Sequence, residues 1–387
     1  MTNPRRPRIA LVAHDIHDGG GMERAFAELI RRANARFDFT VFASGLAPEL
    51  RPLVAWRRVH VPRRPIPLKM VAFFLAVSRP LARADVDLVH MLGAIAPNRA
   101  DVITVQCCHR GAWERTRRLA PSGAPPLRRL NTAIAQLLAL LAERFCYRSA
   151  RVRVLAGVSR GLNSELEAHF EGPRLALTPN GVDPMRFAPD AGARAALRLA
   201  EGVRDEIVCL FVGGNWDHKG LAIVMQAIAA SRNDRLRLWV VGPGDRPRFA
   251  RIASRLELGE RVRFFGPRSD AERFYQAADI FVFPTQYESF SIVAHEAAAS
   301  GLPVVATRVS GIEDLVVDGE TGFLIDRTPD AVAAALARLA RDPGLRERMG
   351  QEGRCRAAAS TWEQSVDAVT SLYDRLLDAR GTNAVAA

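Results

Sequence analysis

Lysine is all but absent from this chain. Of its 54 basic residues only Lys69 and Lys219 are lysine. Such an arginine preference reflects coding bias and carries no mechanism. It does single out both lysines, because a compact ammonium and a planar guanidinium are not interchangeable at a tight site. Cysteine is scarce too. Cys107, Cys108, Cys146, Cys209 and Cys355 are odd in number and show no CxxC spacing. That argues against a disulfide framework or a zinc site and fits a reducing cytosol. No stretch reaches the roughly 18 apolar residues of a membrane span. The longest candidates are Met70–Val77 and Ala133–Ala142. The start, MTNPRRPRIALVAHD, runs from a basic tail into a short apolar strand. It lacks the apolar core and cleavage site of a signal peptide. Aromatics are only 7%, and no basic run interleaves with them as in a nucleic-acid module. The expectation is a cytoplasmic protein, peripheral at most to an inner membrane face.

What is present is globular. The chain has 387 residues, 48% apolar and 25% charged. At roughly 150 residues per domain, that length calls for two or three domains. The net charge of +12 is unevenly spread. Residues 1–180 hold 28 Lys and Arg against 14 Asp and Glu, and residues 181–387 hold 26 against 28. The first half therefore carries +14 and the second −2.

The apolar pattern is that of an α/β chain. Ile9–Ala13 is a short apolar run before a glycine cluster, as in a buried parallel strand. Met22–Ala35 has helical spacing, and further strands are expected at Phe39–Ala43, Asp87–Met91 and Asp101–Gln106. The pattern restarts at Ile207–Val212, Leu236–Val241, Val262–Phe265, Ile280–Phe283, Pro303–Thr307 and Gly322–Ile325. Two doubly wound sheets follow, with a linker near Thr178–Ala191. The expected domains are 1–180 and 181–361. Residues 361–378 read as a last amphipathic helix, and a C-terminal helical segment of about 362–387 is expected to cross back to the first domain. Two such domains facing a cleft would hold a ligand at the carboxyl ends of their strands.

The strongest motif is PTQYESFSIVAHEAAASGLPVVAT, Pro284–Thr307. Glu288 and Glu296 stand eight residues apart, with Ser289–Val293 leading from a loop into a helix between them. A helix start near Ser291 offers unpaired N–H groups and the positive end of a dipole, which suits a diphosphate. One carboxylate can then meet a sugar hydroxyl and the other a ribose. Gly19–Gly21 opens a helix after the first strand, where glycine lets backbone approach a ligand closely. The cluster is not GxGxxG and no acidic ribose ligand follows, which argues against a dinucleotide-dependent dehydrogenase.

Taken in order, these pieces resemble the retaining glycosyltransferases of family 4, with the GT-B fold. Pro284–Thr307 resembles the EX7E signature and GGGMERAFAEL the glycine loop. PNGVDPMRF resembles the interdomain motif and FVGGNWDHKG the FVGRxxxxKG phosphate segment. VVGPGDRP and VRFFGP resemble the base-side loops, and STWEQSVDAVTSLYDRLL the closing helix. The resemblance spans about residues 8–378 and is nearest to the lipopolysaccharide-core glucosyltransferases. It implies that Lys219 contacts the diphosphate, Glu288 the donor sugar and Glu296 the ribose. Gly20, Gly21, Gly214, Asn215, Phe290, Ser291, Ile292 and Val293 complete the donor site. Glu288, Lys219 and His109 are the candidate catalytic residues. Two departures stand out. Gly214 replaces a common arginine, with Arg186 and His218 as candidate substitutes. Gln106 stands where the family often has histidine, leaving that place to His109, three residues on, or to a backbone carbonyl.

The implied activity is transfer of a hexose from a nucleoside diphosphate sugar, with retention, and a UDP-sugar is favoured. The acceptor is a glycan or lipid-linked glycan of cell-envelope polysaccharide or lipopolysaccharide synthesis. No bound cofactor is expected, and no metal, since no DxD-like carboxylate cluster is evident. A GDP-mannose-dependent mannosyltransferase is the alternative within the class. A non-catalytic glycan- or nucleic-acid-binding protein is the alternative outside it. The basic stretch Arg110–Arg129, with Arg117 and Arg118, precedes an apolar helical face over 131–145, and Arg57–Lys69 precedes MVAFFLAV. Either apolar face packs on a sheet or, with its arginines, meets an anionic bilayer.

Overall fold

A computed structural model describes residues 5–116, 126–231 and 233–385. Arg117 and Arg118 of the basic stretch, and residues 386–387, lie outside the described residues. The chain divides into two compact units, Met1–Gly181 with Trp362–Ala387, and Val182–Thr361. Counted by unit, the first holds 30 Lys and Arg against 18 Asp and Glu, and the second 24 of each. All of the +12 belongs to the first unit.

The first unit is built on a seven-stranded parallel sheet. Its strands are β1 (Arg8–Val12), β2 (Asp38–Ala43), β3 (Ala55–Arg58), β4 (Leu88–Leu92), β5 (Ala100–Val105), β6 (Val152–Gly157) and β7 (Arg174–Leu177), in spatial order β3-β2-β1-β4-β5-β6-β7. The second unit has β8 (Ile207–Val212), β9 (Leu236–Val241), β10 (Val262–Gly266), β11 (Ile280–Phe283), β12 (Val304–Thr307) and β13 (Gly322–Ile325), in order β10-β9-β8-β11-β12-β13. The two orders match through six strands. Each reverses direction between its first strand and its fourth, at β1/β4 and at β8/β11. A crevice opens at such a reversal, beyond the carboxyl ends of the strands.

These strands form because their sequences suit burial on both faces. IVCLFV of β8 and ADVITV of β5 are buried at every position, as parallel strands covered by helices must be. The expected strands fall within a residue or so of the observed ones. Pro303 is left out of β12, since it has no N–H to donate. Three further strands, β3, β6 and β7, were not expected. β3 and β7 lie at the sheet edges and are largely exposed, so they lack an apolar run. In β6 the exposed Arg153 interrupts VRVLAG.

The helices that matter below are α1 (Gly21–Ala33), α2 (Ile66–Ala76), α3 (His109–Thr116), α4 (Pro126–Cys146), α5 (Leu221–Ala230), α6 (Ile292–Ala299) and α7 (Trp362–Val385). α7 belongs to the first unit although it ends the chain. Its Val366, Val369, Leu372, Tyr373 and Leu376 join that unit's core. Burial of each such side chain contributes on the order of 1.5–3 kcal/mol. Ion pairs Arg36–Asp374 (2.9 Å) and Arg380–Asp101 (2.6 Å) flank the seam. The buried His90 at its centre bonds the Tyr373 hydroxyl and the Thr104 hydroxyl. His90 is thus a packing residue. Burial pushes its imidazole down to about 3, so it is neutral.

Candidate functional site

At the reversal point of the second unit, one loop follows β8 and another follows β11. The first, Gly213–Gly220, needs glycine at both ends. Gly213 has φ 134° and a Cβ there would lie 3.0 Å from Cδ of Lys219. Gly220 has φ 81° and its Cβ would lie 2.3 Å from the Pro284 carbonyl oxygen. Only glycine tolerates both demands. Between them, Trp216–Lys219 forms a single helical turn. Trp216 is buried and its Nε1–H donates to the Gly213 carbonyl at 2.9 Å. That anchor fixes where Lys219 emerges.

The Lys219 ammonium donates to Oε1 of Glu288 at 2.7 Å and lies 4.5 Å from the centre of the Phe283 ring. Thr285 Oγ1 donates to the same carboxylate oxygen at 3.1 Å. Both charged side chains are mostly buried. Such a pair gains little net stability, because desolvation offsets the attraction, yet removing one partner strands the other. The two loops are laced together by other groups. His218 Nε2–H donates to the Tyr287 carbonyl (2.9 Å), and the Gln286 N–H to the His218 carbonyl (3.0 Å). The Arg327 guanidinium donates to the carbonyls of Pro284 and Asp217. The lacing holds the ion pair in place.

The second loop feeds α6. Ser291 caps it in the left-handed region, φ 63°, and makes no side-chain cap bond. Its Oγ is buried without a hydrogen-bond partner. The N–H groups of Ile292 and Val293 have no carbonyl to meet within the helix. Phe290 stacks on His295 with ring centres 4.0 Å apart, and His295 Nδ1–H donates to the Ser291 carbonyl at 3.1 Å. Burial pushes His295 down to about 4, so it braces the turn as a neutral ring. Gly311 presses on the other side: a Cβ there would lie 2.3 Å from Cα of Phe290. Glu296 lies inside α6, buried, and accepts from the Tyr275 hydroxyl at 2.9 Å. The result is one cation, one carboxylate, a buried hydroxyl and a helix start on adjoining loops. That set can bind a phosphate and orient a polyol.

The structure therefore brings Lys219, Glu288, Phe290, Ser291, Ile292 and Val293 to one reversal point. Gly214 and Asn215 lie on the loop that carries Lys219, with Asn215 left-handed at φ 48°. Both residues suggested for the charge missing at Gly214 have partners of their own. Arg186 is committed to Glu272 at 2.8 Å and to the Ser269 carbonyl at 3.0 Å. Burial lowers the pKa of His218, whose ring bonds the Tyr287 carbonyl, so it is a neutral loop brace.

The remaining candidates belong to the first unit. Gly20 precedes α1 and Gly21 begins it. A Cβ on Gly20 would meet the Glu23 carboxylate, whose side chain folds over the helix start. His109 begins α3. Its Nδ1–H donates to Oε1 of Gln136 at 3.2 Å, and burial lowers its pKa. The backbone N–H of His109 and that of Arg110 both donate to the buried Glu143 carboxylate of α4. Burial pushes Glu143 up to about 7 even so. Gln106 exchanges paired 2.8 Å hydrogen bonds with Asn180, so the residue at the family's histidine position ties two strand ends together.

Sequence reasoning missed Phe283, Thr285, His295 and Arg327. The first three lie close to Glu288 along the chain, and Thr285 was visible in PTQYE as a hydroxyl three residues before it. Nothing local marked Arg327, which reaches the loops from beyond β13. Among the described residues no three His, Cys, Asp or Glu side chains cluster as metal ligands.

Comparison with known proteins agrees with this geometry. The model of "Glycosyltransferase Family 4" matches residues 19–186, and that of "Glycosyl transferases group 1" matches residues 206–342. The D-inositol 3-phosphate glycosyltransferase of Geodermatophilus obscurus is 31% identical over 429 residues, covering 96% of this chain and 92% of its own. Among solved structures, WaaG, a glycosyltransferase involved in lipopolysaccharide biosynthesis, superposes with a TM-score of 0.78 at 21% identity. That match covers 93% of this chain and 98% of WaaG. Anabaena HepE in complex with UDP-glucose gives a TM-score of 0.71 at 17% identity, covering 97% of this chain and 100% of its own. The chain belongs to glycosyltransferase family 4 and is a glycosyl-transferring enzyme of the GT-B fold.

Proposed function

We propose that this enzyme transfers a hexose, with retention, from a nucleoside diphosphate sugar to a glycan or lipid-linked acceptor of the cell envelope. The observation that carries the reading is the Lys219–Glu288 pair, 2.7 Å apart beside the start of α6. Lys219 and the N–H groups of Ile292 and Val293 receive the diphosphate. Glu288 takes donor-sugar hydroxyls, Glu296 the ribose, and His109 the sugar-side contact its family gives a histidine. A UDP-sugar is favoured over GDP-mannose. HepE, solved with UDP-glucose, supports that preference. The second unit is then the donor side and the first unit the acceptor side.

The chemistry asks little of the protein beyond charge. The acceptor oxygen forms a bond to the anomeric carbon on the face that the diphosphate leaves. The bond from that carbon to the phosphate oxygen breaks, and the acceptor proton passes to the departing oxygen. Negative charge grows on the diphosphate, where Lys219 and the helix start stabilise it most in the transition state. No protein base is required. Turnover is expected to persist in EDTA.

The test is a thermal-shift panel of UDP- and GDP-sugars. One donor should raise the melting temperature, and Lys219→Ala should remove that rise. No rise with any donor, or an unchanged one in the variant, overturns the reading.

A further inference from the structure

The reversal point of the first unit, between β1 and β4, leads into a cavity of about 290 Å³. Its inner end is made by His14, just past β1, and by Ala94 and Ile95, just past β4. Its walls are the apolar faces of α2 and α4, where Phe74 meets Phe145 edge to face at 6.2 Å. Its mouth is bounded by Val71, Leu75 and Leu141, which are 42%, 64% and 56% exposed. His14 is the one polar residue lining it, and Nδ1 of His14 is buried without a hydrogen-bond partner. Outside the mouth the same two helices expose Leu68, Leu130, Ile134 and Leu137. Arg63, Arg64, Arg128 and Arg129 are exposed beside them in sequence.

We infer that this groove receives the hydrocarbon chain of an anionic amphiphilic acceptor, whose polar end lies at the β1/β4 reversal beside His14. The inference rests on the transferase reading and names its acceptor class. Three observations select this occupant. The groove starts where a doubly wound sheet places its ligand. It continues through apolar walls to an apolar, arginine-flanked mouth. The unit that bears it carries the chain's whole net charge of +12. A polar acceptor such as a free sugar phosphate would use the charge but gain nothing from the walls. Each methylene buried there adds to the affinity.

The test uses the intact protein and 11-(dansylamino)undecanoic acid, a fluorescent anionic amphiphile, without vesicles and below its micellar concentration. Saturable one-to-one binding with a blue shift is expected, displaced by dodecanoate. Ala142→Trp, which fills the groove from α4, should weaken binding roughly tenfold or more. The donor-induced melting shift, which reads the second unit, should remain. Should Ala142→Trp fail to fold, Leu141→Glu at the exposed mouth gives the same reading by setting a charged group in the path of the hydrocarbon chain. Absence of saturable binding overturns the inference, as does unchanged binding in the folded variants. Binding only to anionic vesicles makes the patch a membrane contact and also overturns it. So does a dimer in solution that Leu75→Arg dissociates. A lost donor shift in the wild type, with probe binding intact, would instead count against the transferase reading alone.

Discussion

The two units place the same strand order around two different kinds of crevice. In the second unit the loops at β8/β11 bring a lysine, a carboxylate and a helix start together. In the first, the ends of β1 and β4 bring one histidine to an apolar groove. The backbone plan fixes where a ligand goes, and the loop residues fix what it is. The chain's two lysines sharpen the contrast, because each sits in an ion pair by one reversal point. Lys219 meets Glu288 at 2.7 Å and Lys69 meets Asp15 at 2.6 Å.

The largest effect should come from Lys219. On the proposed reading Lys219→Ala removes the charge that stabilises the leaving diphosphate, and turnover should fall about 10²–10³-fold. Lys219→Arg should recover only part of it, because the planar fork does not replace a point charge under Gly213. Steady-state rates with the donor found by the panel check this. Equal activity in Lys219→Ala would leave the second crevice without its main electrostatic element.

Next come the glycines. Gly220→Ala forces a left-handed alanine against the Pro284 carbonyl, costing about 2–4 kcal/mol. Gly93, which follows β4 in the first unit, has a similar φ of 83°, yet its Cβ would meet only Ile95 at 4.0 Å. Gly93→Ala should therefore cost only the conformational penalty, about 1–2 kcal/mol. Urea denaturation of the two variants measures the difference, which comes from the tight loop packing at the second unit's crevice. Equal costs would mean that this packing is not tighter than its counterpart.

Protonation gives a smaller, graded effect. His14 and His295 are held near 4 and His90 near 3, mainly by burial. Their unfolded value is about 6.5, so below that pH the unfolded chain binds more protons. Stability is complete above about 6.5 and falls as pH drops toward 4, on the order of 1 kcal/mol per unit for each group. Glu143, raised to about 7, acts the other way. Its neutral form is favoured in the fold, so its contribution is full below about 4.5 and lost as pH rises through 7. Melting temperature should therefore drop between pH 6.5 and 5, and Glu143→Gln, which removes the opposing contribution, should make that drop steeper. A flat wild-type profile from pH 5 to 7 would contradict these environments.

Much of this was legible in the sequence because its signals are local. β8 is six apolar residues in a row, and β11 is four. Glu288, Ser291 and Glu296 lie on one continuous stretch, so spacing alone placed them by one helix start. The first crevice gave no such signal. His14, Ala94, Phe74 and Ala142 come from four separate segments, and an apolar run reads the same whether its side chains meet a sheet or line a groove. The partners of Arg186, one residue suggested for the missing charge, were hidden for a similar reason. The Glu272 partner of Arg186 lies 86 residues away.

The smallest expected effect separates the two lysines. Burial alone would raise the Asp15 carboxyl, but the hydrogen bond and charge of Lys69, with the Ser44 bond, bring it below its usual range. The Lys69–Asp15 pair is more open to solvent than the Lys219–Glu288 pair, so screening discounts it. Lys69→Met keeps much of the apolar stem and should cost less than about 1 kcal/mol of stability. The Asp15 carboxyl should titrate higher in the variant, since one lowering influence is gone, and NMR of its side chain reads that directly. The donor-induced melting shift should be unchanged. If Lys69→Met abolished that shift, as is expected of Lys219→Ala, lysine scarcity would mark one shared site, and the proposed division into a polar donor crevice and an apolar acceptor crevice would fall.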